Sequence, residues 1–257
     1  MELSLPVRAN RAMAEVVARI EGSARLEALW AASNTMAIDR MGINDHGPVH
    51  IKIIVNIALR LLRLLVAGGV VPSAVSDHGL TADDAEVVVV VASALHDIGH
   101  VIHRVDHEAL SLVLAPAIIR ELLAGAYEEP QATVLEGEIL HAIYCHRRDA
   151  EPLTVEAGVV KVADALDMEA GRARIPFKAG EQTIHSVSAM AIKKVRIQRG
   201  ESRAIRIQVE MSNSAGIFQL DTLLRSKLQH SGIAEHVEVV GEVVGDEARI
   251  MERYTLT

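Results

Sequence analysis

The sequence predicts a mainly α protein that ends in a small C-terminal α/β sandwich domain. Three observations predict it. Up to about Met168, apolar residues recur at three- and four-residue spacing, the period of an amphipathic helix. After about Gly180 the spacing changes to the alternation of half-buried strands around Gly-containing turns. Half of the 257 residues are hydrophobic but only 2% are aromatic, so the core is aliphatic, built from Val, Leu, Ile and Ala. The length suits one large domain or two smaller ones. The change of texture, with Pro176 and Gly180 in "RIPFKAG", divides the chain into a helical domain, 1–177, and a ββαββ domain, 178–257.

Each element has its own cue. "RAMAEVVARIEGSARLEALWAASNTMAI" keeps helical spacing throughout. "HIKIIVNIALRLLRLLVAGG" does the same and stops at Gly68-Gly69, a C-cap. "TADDAEVVVVVASALHDIG" opens on Thr81 and two aspartates, a capped start whose charge suits the helix dipole. Its valines alone would suggest a strand; the cap and the length favour a helix. "HEALSLVLAPAIIRELLAG", "QATVLEGEILHAIYCH" and "VEAGVVKVADALDMEAGRA" are further helices. "AIKKVRIQRGESRAIRIQVEM" reads as a hairpin and "GIFQLDTLLRSKLQHSG" as a helix. "HVEVVGEVVGDEARIMERYTL" reads as two strands turning at Gly245-Asp246.

Composition narrows the function classes. A formal net charge of -8 argues against a broad electrostatic footprint on nucleic acid, and few aromatics leave few platforms for stacked bases. A local basic patch remains in "KKVRIQRGESRAIRIQ", with Lys193, Lys194, Arg196, Arg199, Arg203 and Arg206, which reads first as the exposed side of a sheet. Cys145 is the single cysteine, so neither an intrachain disulfide nor a C-x-x-C zinc motif exists. The start of the chain lacks the layout of a signal peptide. The most apolar segments are broken by Lys52, Arg60 and Arg63, or by His96 and Asp97, so no membrane span is expected. A soluble, cytoplasmic protein is the expectation, and a homo-oligomer such as a dimer.

The chemistry concentrates in "SALHDIGHVIHRVDH", Ser93–His107, directly after the valine run. His50 opens one amphipathic helix, His96 and Asp97 end another, and Asp164 lies in the apolar "VVKVADALDM". A buried carboxylate costs several kcal/mol unless paired or bound to a metal, so Asp97 and Asp164 need partners, and one ion would serve both. Neighbours i and i+1 on a helix diverge by about 100°. His96 and Asp97 therefore reach one ion only at a helix end or a kink, for which Gly99 is the candidate.

His50, His96-Asp97 and Asp164, in this order on separate helices, resemble the H…HD…D motif of the HD superfamily of metal-dependent phosphohydrolases. "LHDIGH" is similar to that family's central motif, "VADALD" to its last, and "DHEALS" to the segment after the central one. The likeness covers roughly 45–174. It implies one or two divalent ions (Mn, Ni, Co, Fe, Mg or Zn). His50, His96, Asp97 and Asp164 would hold the first, His107 and His146 would add ligands for a second, and Asp97 would bridge. A bound ion lowers the pKa of its water and polarises a phosphoryl oxygen. Asp97 and His107 are the catalytic candidates, His107 alternatively as general acid. The cyclic-dinucleotide branch is disfavoured: its Gly-Tyr-Pro extension is missing after His146, and Cys145 stands for one of its paired histidines.

Substrate contacts are assigned to His100, Arg147 and Arg174, with Arg148, Arg172 and Lys161 also near the site. His103 is pocket wall or loop, and His141 is structural. His46, His78, His185, His230 and His236 are surface residues. The C-terminal domain shows no chemistry. The expected function is hydrolysis of a phosphoester of a nucleotide or related small phosphate compound. The alternatives are an RNA-processing phosphodiesterase or nuclease, and a non-catalytic nucleotide-binding regulator.

Overall fold

The computed structural model describes residues 1–7, 9–169, 184–244 and 253–256. The domain boundary near residue 177, the Gly245-Asp246 turn, Arg172 and Arg174 lie outside the described residues.

Among the described residues, eight α-helices and a π-helical turn, Thr35–Arg40, form the first part: α1 Arg11–Gly22, α2 Ala24–Asn34, α3 Pro48–Ala67, α4 Ser73–His78, α5 Ala82–Leu95, α6 His107–Leu123, α7 Gln131–Cys145 and α8 Val155–Leu166. The first long helical pattern in the sequence is in fact split at Ser23, whose hydroxyl caps α2 through Leu26 N–H. α5 is the central helix. Thr81 and Asp84 form a reciprocal capping box at its start. Every residue from Val87 to Leu95 is buried, so the helix needs no polar face. Its valines pack among α1, α3, α7 and α8, which explains why their β propensity is overridden.

A further helix, α9 Ile184–Ala191, leads straight into the C-terminal sheet, and the sequence pattern did not announce it. The strands are β1 Ile192–Arg199, β2 Ile205–Met211, β3 Val237–Val243 and β4 Arg253–Leu256, in the order β1-β2-β3-β4. β1 pairs antiparallel with β2, from Arg199 opposite Ile205 to Lys194 opposite Glu210, with a shift in register before Ile192. β2 and β3 are parallel, with Ile205 opposite Val237, and β3 and β4 are antiparallel. The parallel step needs a crossover. It is made by three contiguous helical pieces, Ile217–Gln219, Leu220–Leu224 (a π turn) and Arg225–Gln229, here called α10. This is the expected ββαββ order.

The C-terminal part packs directly on the helical part. At Gly158 of α8 an added Cβ would lie 2.1 Å from Ser231 O, and at Gly68 one would lie 2.5 Å from Ala204 Cβ. Both glycines lie where the two parts touch closely. Lys193, Lys194, Arg196 and Arg199 on β1 are exposed, as a charged sheet face requires, whereas Arg203 turns inward to donate to Ala234 O and Val237 O.

Candidate metal centre

α5 ends at Leu95, and the chain turns through a short 3₁₀ segment, Ile98–Val101, before α6. The end of α5 leaves carbonyls without helical partners. Three elements satisfy them. Trp30 Nε1 of α2 donates to Ala94 O at 2.9 Å. Ser111 of α6 donates to His96 O at 2.7 Å and accepts from Gly99 N–H at 2.8 Å. His96 Nδ1 returns to Ser93 O at 2.8 Å. Gly99 is required by crowding, not by a kink: an added Cβ would lie 2.1 Å from His107 O and 2.5 Å from Ser111 N.

The histidines share one device. His146, one residue past α7, donates Nδ1–H to Ile143 O at 2.5 Å. His107, the first residue of α6, has Nδ1 3.1 Å from Arg104 O and 3.2 Å from Glu108 Oε2. His50, in the first turn of α3, donates Nδ1–H to Asp167 Oδ2 at 2.6 Å. For His50, His96 and His146 these acceptors place the proton on Nδ1, which leaves each Nε2 with a lone pair aimed inward, whereas Nδ1 of His107 also takes the Arg104 guanidinium at 2.9 Å.

The inward atoms form two sets that meet at Asp97. In the first, His50 Nε2 and His96 Nε2 are 3.3 Å apart. Asp97 Oδ2 is 3.4 Å from each, and Asp164 Oδ1 is 3.5 and 3.8 Å from them. In the second, His107 Nε2 and His146 Nε2 are 3.2 Å apart. Asp97 Oδ1 lies 3.2 Å from His107 Nε2 and 3.7 Å from His146 Nε2. An ion about 2.1 Å from its donors separates neighbouring donors by about 3.0 Å at an octahedral edge and about 3.4 Å at a tetrahedral one. The observed spacings match. The buried His50 and His96 lone pairs that face each other would repel unless a cation, a proton or a metal, lay between them. The donor set therefore fits divalent metal, which His50, His96, Asp97 and Asp164 on one side and Asp97, His107 and His146 on the other would hold.

Burial alone would raise the Asp97 carboxyl, but His96, His107 and His50 outweigh it and hold it well below the usual range. Asp164 behaves in the same way, with Lys227 the first of the charges that lower it. Burial pushes His146 well down, and it pushes His100 down to about 3. His96 is raised: burial opposes its charge, but Asp97 and Asp164 outweigh burial.

His100 is fully buried. Its Nε2 is 3.6 Å from Asp97 Oδ1, and neither ring nitrogen has a hydrogen-bond partner among the described residues. His46 is not the surface residue the sequence reading expected. Its ring centre is 4.5 Å from that of His100 and 5.6 Å from that of His50, and His46, Asp97 and His100 form a third group of converging donors. The loop that delivers it is held by Asn34 Oδ1 on His46 N–H and Asp45 Oδ1 on Gly47 N–H. The pattern His46-x-x-x-His50 was the available cue.

The remaining candidates separate. Arg147 is drawn to Asp106 at 3.1 Å and Asp149 at 2.5 Å on the rim. Arg148 donates to Thr222 O of α10. Lys161 is fully buried and donates to the carbonyls of Arg147, Arg148 and Ala150, so it braces the loop after His146 and is no substrate anchor. His103 is exposed. His141 accepts from Leu153 N–H at 3.1 Å and touches Cys145 Sγ, away from the two sets. Two residues were missed. Asp167 orients His50, although it stands in the quoted "VADALD". Lys227 of α10 pairs with Asp164 Oδ2, which corrects the expectation that the C-terminal part brings nothing to the chemistry. No local pattern marks a lysine 63 residues from its partner.

The HD domain model matches residues 50–169, a span that opens on His50 and includes Asp167. Over 224 residues the chain is 42% identical to the uncharacterized protein MJ1020 of Methanocaldococcus jannaschii, covering 87% of this chain and 86% of that one. It is 31% identical over 160 residues to ribonuclease Y of Thermoanaerobacter pseudethanolicus, 59% of this chain and 28% of that enzyme. With ribonuclease Y of Symbiobacterium thermophilum the identity is 28% over 171 residues, 63% and 30% of the two chains. The chain thus spans less than a third of these ribonucleases. No solved structure matches it. Among the described residues, no helix is long and apolar enough to cross a membrane.

Proposed function

Because the chain belongs to the HD-domain family, whose members are in general metal-dependent hydrolases, we propose that it hydrolyses a phosphoester of a nucleotide or a related small phosphate compound. The observation that carries this reading is the pair of donor sets sharing Asp97. His50, His96, Asp97 and Asp164 would hold one divalent ion, and Asp97, His107 and His146 a second. Bound metal would supply a water of lowered pKa and a Lewis acid for the phosphoryl oxygen. Asp97 would hold both halves of the centre in register, because each of its oxygens serves one set. His100 and His46 would line the same space, where the ring nitrogens of His100, which have no hydrogen-bond partner among the described residues, can hydrogen-bond a phosphate ester. The expectation that His107 is a ligand is favoured over a general-acid role, since its Nε2 is directed at His146 Nε2 and Asp97 Oδ1.

A substrate panel of phosphomonoesters and phosphodiesters, with Mn, Co, Ni, Mg and Zn each added back, tests the proposal. Metal content of the same sample gives one ion or two. Asp97→Ala is expected to lose both bound metal and hydrolysis. An active, metal-replete Asp97→Ala protein would end this reading.

A second reading, an RNA phosphodiesterase, is supported by the partial likeness to ribonuclease Y and by one surface feature. A groove of about 1860 Å³ runs between α3 and β1, bordered by Lys52, Arg60 and Lys194 as well as Asp45, Asp167 and Glu169. It is larger than the usual small-molecule pocket of roughly 300–1,000 Å³. Binding of a short single-stranded RNA that weakens with salt and with loss of Lys52 and Lys194 would favour this reading. No binding at low salt would exclude it.

A further inference from the structure

The C-terminal part reaches the centre through one side chain. Lys227 lies in the last piece of α10, Arg225–Gln229, which packs on α8. Its ammonium group engages Asp164 Oδ2, while Asp164 Oδ1 faces His50 and His96. Among the described residues, every other ion-pair partner of Asp97 and Asp164 is a histidine. The π turn Leu220–Leu224 comes immediately before. One extra residue in a turn rotates everything after it by about 100° relative to a regular helix, so the direction of Lys227 depends on that turn. The docking is close: Gly158 leaves room for Ser231 O, and Ile233 is fully buried beside it.

We infer that Lys227 is a positioning residue of the metal centre, and that the C-terminal domain serves to deliver it. By occupying Oδ2 it leaves Asp164 one oxygen for the ion and keeps the carboxylate turned inward. The centre is therefore completed by two parts of the chain, and the HD-matched segment, residues 50–169, does not contain all of it. The inference rests on the proposed metal reading, and the test separates the two.

Mn²⁺ alone is titrated calorimetrically into the full chain and into three variants, each also melted without metal. Lys227→Met is expected to raise the Mn²⁺ dissociation constant by about 10- to 100-fold, the usual effect of removing a partner of a metal ligand. Lys227→Arg, which keeps the charge and donors, is expected to recover most of that loss. Ile233→Ala loosens the same interface without touching Asp164, so it should lower the melting temperature and leave Mn²⁺ affinity nearly unchanged. Unchanged or tighter Mn²⁺ binding by Lys227→Met would overturn the inference alone. So would an equal loss in Ile233→Ala, because the effect would then belong to docking in general. Wild-type protein that takes up no Mn²⁺ would overturn the metal reading and this inference with it.

Discussion

Ser111 offers the sharpest test of how the His96-Asp97 turn is held. Its hydroxyl is fully buried and makes two bonds at once, accepting from Gly99 N–H at 2.8 Å and donating to His96 O at 2.7 Å. Ser111→Ala removes a single oxygen and leaves a buried donor and a buried acceptor without their partner. Each such group costs about 1–3 kcal/mol. Gly99 packs against the α6 backbone, and Trp30 and Ser33 hold the carbonyls of Ala94 and Asp97 on either side of His96, so neither group can move far to find a replacement. The expected loss is about 2–4 kcal/mol, a large share of a typical stability of roughly 5–15 kcal/mol. The same turn carries Asp97 and His100, so Mn²⁺ affinity should fall by about tenfold. Urea denaturation of metal-free protein reads the first effect and calorimetry the second. A stability loss under about 0.5 kcal/mol, the range of an ordinary surface change, would refute the account of the turn. A large loss with unchanged Mn²⁺ affinity would refute its link to the centre.

Three further outcomes follow from the geometry. Asp167→Ala leaves His50 Nδ1–H without its carboxylate, and should raise the Mn²⁺ dissociation constant by about 10- to 100-fold; an unaltered constant would show that Asp167 does not orient His50. Gly158→Ala drives a methyl group into Ser231 O, and should destabilise the chain by about 1–3 kcal/mol or more; an unchanged melting temperature would contradict the close docking. Acid should destabilise the metal-free protein through His100. Its folded value of about 3 lies below the ordinary 6.5, so the unfolded chain takes up a proton that the folded ring refuses. From this residue stability falls by about 1.4 kcal/mol per unit as pH drops from 6.5 toward 3; a urea midpoint that stayed flat across that window would rule the effect out.

The sequence was most legible where chemistry and local geometry coincide. Thr81, two aspartates and a long apolar run specify α5 by themselves, because the cap and the absence of a polar face both point to a buried helix. The His96-Asp97 pair could be placed at a helix end because side chains one residue apart cannot otherwise converge. The break at Ser23 was harder, since helical spacing continues across it and only the cap at Leu26 reveals it. Gly99 reads in sequence as a kink, but it is needed for clearance. A glycine needed for conformation and one needed for clearance look alike in sequence, and only the backbone of α6 at 2.1 Å tells them apart. His46 reads as a surface residue because it precedes α3 in a polar loop, and apart from its four-residue spacing to His50 nothing local shows that the loop folds back over His100.

The donors themselves explain this division. His96 and His146 each sit one residue past a helix and return Nδ1–H to the carbonyl three residues earlier, and His107 reaches back to Arg104 O across the same interval. Their inward nitrogens are therefore aimed by the local backbone, with no help from distant residues, and such positions can be read from a helix pattern. The carboxylates have no comparable local anchor. Besides its neighbours His96 and His100, Asp97 is held by imidazoles from three distant segments, those of His50, His107 and His146, and Asp164 by a lysine of the C-terminal crossover. Their orientation is a tertiary property. Imidazole donors aimed by the backbone persist when the ion is absent, whereas carboxylates held by mutual charge lose their order as those charges change. Substitutions that leave the histidines in place but disturb Lys227 or Asp167 should accordingly weaken metal binding while the helical scaffold stays folded.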